Sequence, residues 1–179
     1  MPDMFMYGAP VARAMADDPF LLLHKEHEAI RGRLRAFEKA LDAAMNRDRA
    51  DDGERAVFRD TLAFLRGDVD RHFRREESAL LPPLEAKLGR FGTLVNVIAY
   101  DHDEVRREVS KLGDALAALE RTTGPHRAEL HEVNRHGIFV VQYLSLHMAK
   151  EDSSLADLAR QTLGDEALRE AARRLGEPQ

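Results

Sequence analysis

The sequence predicts an all-α fold, a four-helix bundle, on three observations. Charged residues make up 33% of the 179 positions and aromatics 6%, a balance that favours amphipathic helices over strands rich in β-branched and aromatic side chains. Turn and breaker residues fall in clusters that leave four long segments between them. Within each segment the apolar residues recur at alternating steps of three and four, the seam of a helix that faces a bundle interior.

The breaks lie at Asp51–Asp52–Gly53, at Leu81–Pro82–Pro83 with Gly89–Arg90–Phe91–Gly92 beyond it, at Thr122 to Pro125, and at Ser153–Ser154. Asp18 before Pro19 has the form of a helix N-cap followed by proline at the first helical position, and Gly124–Pro125 reopens a helix in a similar way. The chain accordingly divides into an N-terminal lead over residues 1–18, the bundle over 19–152, and a C-terminal amphipathic extension over 153–179 that forms one or two short helices packed outside the bundle. A length of 179 residues with 44% hydrophobic content suffices for one core.

The first seam reads Phe20, Leu23, His27, Ile30, Leu34, Phe37, Leu41. The second reads Phe58, Leu62, Leu65, Val69, His72, Glu76, Leu80. The third is Val95, Ile98, His102, Val105, Val109, Leu112, Leu116, Leu119, and the fourth Leu130, Val133, Gly137, Val140, Leu144, His147, Glu151, Leu155. Six polar residues fall on the buried stripe, His27, His72, Glu76, His102, His147 and Glu151, and each helix contributes one histidine.

These six repeat. Glu26-His27-Glu28-Ala29-Ile30-Arg31 resembles Asp101-His102-Asp103-Glu104-Val105-Arg106, and His72-x-x-x-Glu76 matches His147-x-x-x-Glu151. Two helical hairpins of similar construction therefore face each other with pseudo-two-fold symmetry. A histidine and a glutamate four residues later lie about 40° apart around a helix and about 6 Å along it, so each pair points at one place. An ionised carboxylate on a buried seam costs several kcal/mol unless a cation or hydrogen-bond partners offset it, and no Lys or Arg shares the seam. A metal pair neutralises both carboxylates and keeps the four imidazoles neutral and ligating.

With no cysteine in the chain, any metal must take nitrogen and oxygen ligands. Imidazole with carboxylate suits iron, manganese or zinc, and two carboxylates able to bridge favour a redox-active dinuclear pair, so two iron ions are expected ahead of zinc or manganese. Two histidines per metal and two shared glutamates leave coordination positions open for an oxo bridge and for O2, NO or peroxide.

The pattern of one histidine, then His-x-x-x-Glu, given twice, resembles the hemerythrin-like, HHE cation-binding domains. The resemblance runs from about Asp18 to Asp152, through His27-Glu28-Ala29-Ile30-Arg31, His72-Phe73-Arg74-Arg75-Glu76-Glu77, Asp101-His102-Asp103 and His147-Met148-Ala149-Lys150-Glu151-Asp152. It implies an antiparallel up-down-up-down bundle around a non-haem di-iron centre with the same six residues as ligands. Oxygen-carrying hemerythrins have a second histidine one turn after the third-helix ligand, where this chain has Arg106, and a longer His-to-acid spacing on the last helix. The four-His, two-Glu set is more similar to iron-centre repair proteins of the nitrosative-stress response.

Among the remaining residues, His24 is a solvent-facing histidine with an alternative role at the site, and His126, His131 and His136 are expected on the surface or in ordinary packing. Tyr143 and Asp68, each one turn before a ligand histidine, are within reach of a hydrogen bond to a ligand or to bound oxygen. Glu28, Glu77 and Asp152 adjoin the six in sequence and are expected mostly in solvent, with Glu77 or Asp152 able to help complete the shell.

The leading functional reading is a di-iron module that binds O2 or NO, or stores iron, in stress response or iron homeostasis, whether by sensing, storage or iron-centre repair. The alternatives are a di-iron enzyme that consumes peroxide or oxidises iron, and a helical interaction protein with adventitious metal. A net charge of −5 without a long basic block argues against nucleic acid. No stretch approaches the roughly 18 apolar residues of a membrane span, and Met1 to Phe20 lacks the form of a signal peptide, so a cytoplasmic monomer or homodimer is expected, with a protein partner left open.

Overall fold

The computed structural model describes residues 18–122 and 126–177. Among them every regular element is helical and no strand occurs. The lead before Asp18 and the Gly124–Pro125 helix start lie outside the described residues.

Helix α1 (Pro19–Asn46) opens as its sequence dictates: the Asp18 side chain accepts from the Phe20 amide at 2.9 Å, and Pro19 occupies a first-turn position whose N–H would have no helical partner. It buries Phe20, Leu23, His27, Ile30, Leu34, Phe37 and Leu41 along one face. Asp51 then caps α2 (Asp52–Phe64) in a reciprocal box with Glu54, each side chain bonding the other's backbone amide at 2.9 Å.

Helix α2 passes through a π-helical turn, Leu65–Val69, into α3 (Asp70–Ala79). The wider turn alters the stripe ahead of it. The sequence places Leu62 on the seam; the structure buries Thr61 instead and leaves Leu62 half-buried, because winding with extra residues per turn rotates the upstream face.

Two expected breaks are helical. Leu81, Pro82 and Pro83 open α4 (Leu81–Leu88), with the prolines in the first turn where their missing N–H groups and fixed φ do no harm. The true turn follows, at Gly89 and Gly92, whose φ values of 77° and 73° suit glycine. Helix α5 (Leu94–Arg121) buries its whole predicted seam from Val95 to Leu119. Helix α6 (Arg127–Lys150) does not stop at Ser153–Ser154: a second π-helical turn, Glu151–Leu155, carries it into α7 (Ala156–Thr162). The Ser153 hydroxyl is absorbed by the Ala149 carbonyl at 2.7 Å, so the serine pair costs the helix no backbone bond.

After Gly164, α8 (Asp165–Leu175) returns to pack on α1 and α3, burying Ala171 and Leu175. Helix α5 lies along α6, and α1 packs against both α2 and α6. At the α1–α6 crossing, a Cβ on Gly137 would come within 2.8 Å of Leu41 and 3.0 Å of Phe37, so only glycine allows this approach.

Two apolar clusters result. The larger runs from Ile30, Phe73, Val105 and Met148 to Phe58 and Leu119; the smaller gathers Phe20, Leu23, Leu80, Ile98, Leu155 and Leu175. Between Leu23 and Ile30, between Val69 and Ala79, between Ile98 and Val105, and between Leu144 and Leu155 lies a layer of histidine and glutamate.

Candidate metal centre

All six seam residues meet in this layer. His27, Glu76, His102 and His147 are 0% exposed, Glu151 1% and His72 2%. His27, His72, Glu76 and Glu151 present ligand atoms that all lie within 4.8 Å of one another, and so do Glu76, His102, His147 and Glu151. Both glutamates belong to both groups. The Nε2 atoms of His27 and His72 approach to 3.2 Å; His102 Nε2 lies 3.3 Å from Glu76 and His147 Nε2 3.3 Å from Glu151.

These atoms are close but poorly hydrogen-bonded. Both oxygens of Glu76, both of Glu151, and the Nε2 atoms of His102 and His147 are buried without a hydrogen-bond partner. Such groups cost stability in an apolar interior unless something satisfies them. They are the atoms a pair of cations would engage, so the donor set fits a dinuclear metal site of nitrogen and oxygen ligands.

The electrostatics point the same way. Burial pushes the Glu151 carboxyl up, but His147, His102 and His27 around it outweigh burial and hold it below the ordinary range. Burial pushes the His27 and His102 imidazoliums down, and the Glu151 and Glu76 carboxylates overcome this and raise both. The layer favours positive charge beside its glutamates.

The outer edge of each imidazole is fixed by a further carboxylate. His27 Nδ1 lies 2.8 Å from Asp152, His72 Nδ1 2.7 Å from Glu26, His102 Nδ1 2.8 Å from Glu77 and His147 Nδ1 3.4 Å from Asp101. A carboxylate there accepts a hydrogen bond from Nδ1–H and leaves the Nε2 lone pair facing the glutamates. Burial works against ionisation of Glu26, Glu77 and Asp101, but the histidine and cation beside each keep all three down at about 2. Asp152, with Arg31 and His27 beside it, is likewise held low despite burial.

Each outer carboxylate is gripped in turn by a cation: Asp152 by Arg31 at 2.6 Å, Glu26 by Arg75, Glu77 by Arg106, and Asp101 by Lys150. Asp101 also accepts from the Tyr143 hydroxyl at 2.8 Å. Phe73 stacks on the His102 ring at 4.1 Å, and the Arg106 guanidinium lies over the Phe73 ring, 5.6 Å from its centroid.

Of the residues weighed beside the six, Glu77, Asp152 and Tyr143 therefore belong to the site's outer ring. Glu26 and Asp101, which stand immediately before His27 and His102, were not singled out by the sequence reading. The signal for them is the repeat itself: an acid before each first histidine, an acid after each glutamate, and a cation one turn beyond each histidine. His24 is exposed and touches Asp152 at 3.4 Å, Glu28 is exposed and paired with Arg31, and Asp68 is exposed and paired with Arg71. His131 is exposed, His126 lies 3.3 Å from Arg55, and His136 is buried against Glu108 at 2.7 Å.

No helix among the described residues is long and apolar enough to cross a membrane. No curated protein and no solved structure matches the chain. Residues 18–159, which include every helix that contributes to the His/Glu layer, match the hemerythrin HHE cation binding domain, and the chain belongs to that family of metal-binding proteins.

Proposed function

We propose that this chain is an antiparallel up-down-up-down four-helix bundle holding two irons, which binds O2 or NO, or holds labile iron, in a cytoplasmic stress or iron-homeostasis response. The observation that carries the reading is the sharing of Glu76 and Glu151 between two histidine pairs. His27 and His72 would hold one iron, His102 and His147 the other, and the two glutamates would serve both. Along α5 and α6, Asp101 faces His147 and Glu108 faces His136, so these helices run in opposite directions, in keeping with the bundle.

An iron pair supplies reversible one-electron chemistry and affinity for small diatomic ligands. The protein's part is to present unprotonated Nε2 atoms, through the Nδ1–carboxylate bonds, and to keep water out. Leu23, Ile98 and Leu155 close the layer on one side, and Ile30, Val105 and Leu144 on the other.

Untagged protein from iron-supplemented cells tests the reading. Two irons per chain, a visible band lost on reduction, and a nitrosyl product on NO addition are expected. Zinc alone, or no metal, would overturn it. Peroxide consumption that continues over many turnovers would move the assignment to a di-iron enzyme; a stoichiometric reaction keeps it as a binding module.

A further inference from the structure

The two hairpins secure their second histidines in equivalent ways up to a point. Glu26 and Arg75 stand behind His72, as Asp101 and Lys150 stand behind His147. The equivalence ends at the next contact. Asp101 is also held by Tyr143, which stacks on Phe139 with ring centroids 5.2 Å apart. In Tyr143's place, one turn before His72, stands Asp68, exposed and paired with Arg71. With no ring there, a cavity of about 290 Å³ lies beside Glu26 and His72.

The missing support comes from the far end of the chain. Arg75 donates from Nη2 to Glu26 and from Nη1 to the Leu175 carbonyl at 2.9 Å. That carbonyl belongs to the last turn of α8, where carbonyls lack helical donors and carry partial negative charge, a natural partner for a guanidinium. Its position is set by packing, since the Leu175 side chain is 0% exposed in the smaller apolar cluster and α8 lies on α1 and α3. Arg75 is thus stretched between the carboxylate that orients His72 and a helix that supplies no ligand.

We propose that α8 is a positioning element of the metal centre: through the Leu175 carbonyl, Arg75 and Glu26 it fixes His72, so that the metal on His27 and His72 depends on the C-terminal helix while the metal on His102 and His147 does not. The proposal rests on the two-metal reading above. Binding equilibria are reciprocal, so metal at the His72 half must also tighten the docking of α8 by the same factor.

The test compares the full chain, a chain ended after Gly164, Arg75→Gln and Lys150→Gln, each loaded with ferrous iron without oxygen and mixed with a ferrous chelator, and follows amide hydrogen exchange in α8. The shortened chain and Arg75→Gln are expected to release one of two irons about 10-fold faster or more, the scale on which outer hydrogen-bond partners act. Their effects should not add, whereas Lys150→Gln should hasten the other iron and add to either. Iron should slow exchange in α8 of the full chain and not of Arg75→Gln. Wild-type release of both irons from Arg75→Gln, with α8 exchange indifferent to iron, would overturn the proposal even if the shortened chain fails to fold. A full chain that takes up no metal pair would instead overturn the two-metal reading on which this one rests.

Discussion

Arg106 grips Glu77 with two nitrogens, at 2.8 and 3.1 Å, while Glu77 Oε1 lies 2.8 Å from His102 Nδ1. The position at which oxygen-carrying hemerythrins have a further histidine is here a clamp on the outer partner of a candidate ligand. Its third nitrogen reaches Asp70 at 2.8 Å, which ties α5 to α3. In the other half Arg31 holds Asp152 with one nitrogen, at 2.6 Å, and Asp152 in turn lies 2.8 Å from His27 Nδ1.

Arg106→Ala frees Glu77 to turn into solvent and lets the His102 ring rotate. Metal affinity of the His102–His147 pair should fall about 10- to 100-fold, with helicity unchanged. Competition against a chelator of known affinity measures it, and an unchanged affinity would show that Glu77 needs no clamp.

Glu76 is fully buried, with neither oxygen hydrogen-bonded. In metal-free protein Glu76→Gln removes an unsatisfied buried carboxylate and also the charge that raises His27 and His102, two opposed effects that should leave stability within about 1–2 kcal/mol of the parent. The same change should abolish most of the stabilisation that metal confers on the wild type. Denaturant melts with and without metal read both effects; a metal-free variant more than about 3 kcal/mol from its parent would contradict the first.

Gly137→Ala forces a methyl into Leu41 and Phe37 at the α1–α6 crossing and should cost about 1–3 kcal/mol. Gly67→Ala meets nothing within 4 Å and should stabilise by about 0.5–1 kcal/mol through the reduced freedom of the unfolded chain. Thermal melts of the two variants, which change the same atoms, should move in opposite directions.

Glu108 accepts from Lys111 at 2.6 Å and lies 2.7 Å from His136. Burial pushes its carboxyl up, but Lys111 and His136 outweigh burial and hold it below its ordinary 4.5. A carboxyl lowered by folding contributes stability that is complete above its unfolded value and is lost as pH falls through the folded one. Glu108→Gln should accordingly cost about 1–2 kcal/mol at pH 7, with the gap to wild type closing below about pH 4.5. Urea melts at pH 7 and at pH 3.5 compare the two; a gap independent of pH would mean that the carboxylate's charge contributes nothing.

The helical character and the buried stripes were legible because period is a local property of sequence. Every apolar position of the first, third and fourth seams is buried, and the six polar positions of the four seams lie together in one layer. The second seam slipped at Leu62 because a π-helical turn leaves no mark in apolar spacing. Pro82–Pro83 and Ser153–Ser154 read as breaks because prolines fit a first helical turn as readily as a loop, and because a serine hydroxyl bonded to a carbonyl four residues back leaves the helix intact. Glu26 and Asp101 escaped notice for a geometric reason. Neighbours on one helix point about 100° apart, yet each of these acids reaches a histidine on another helix.

The π-helical turn at Leu65–Val69 makes chain length a parameter of the site. Upstream of it Phe58 faces the larger apolar cluster; downstream His72 and Glu76 face the metal layer, and the extra residue in the wide turn brings the two faces into line. Deleting one residue within the turn, Gly67 for example, would restore regular winding and leave His72 and Glu76 on their present face relative to Phe58, whereas inserting one in the helix beside it would swing them about 100°. A single-codon insertion that touches no ligand would then disturb both half-sites at once, since Glu76 belongs to both. Natural variation in this stretch should tolerate the loss of one residue and seldom the gain of one.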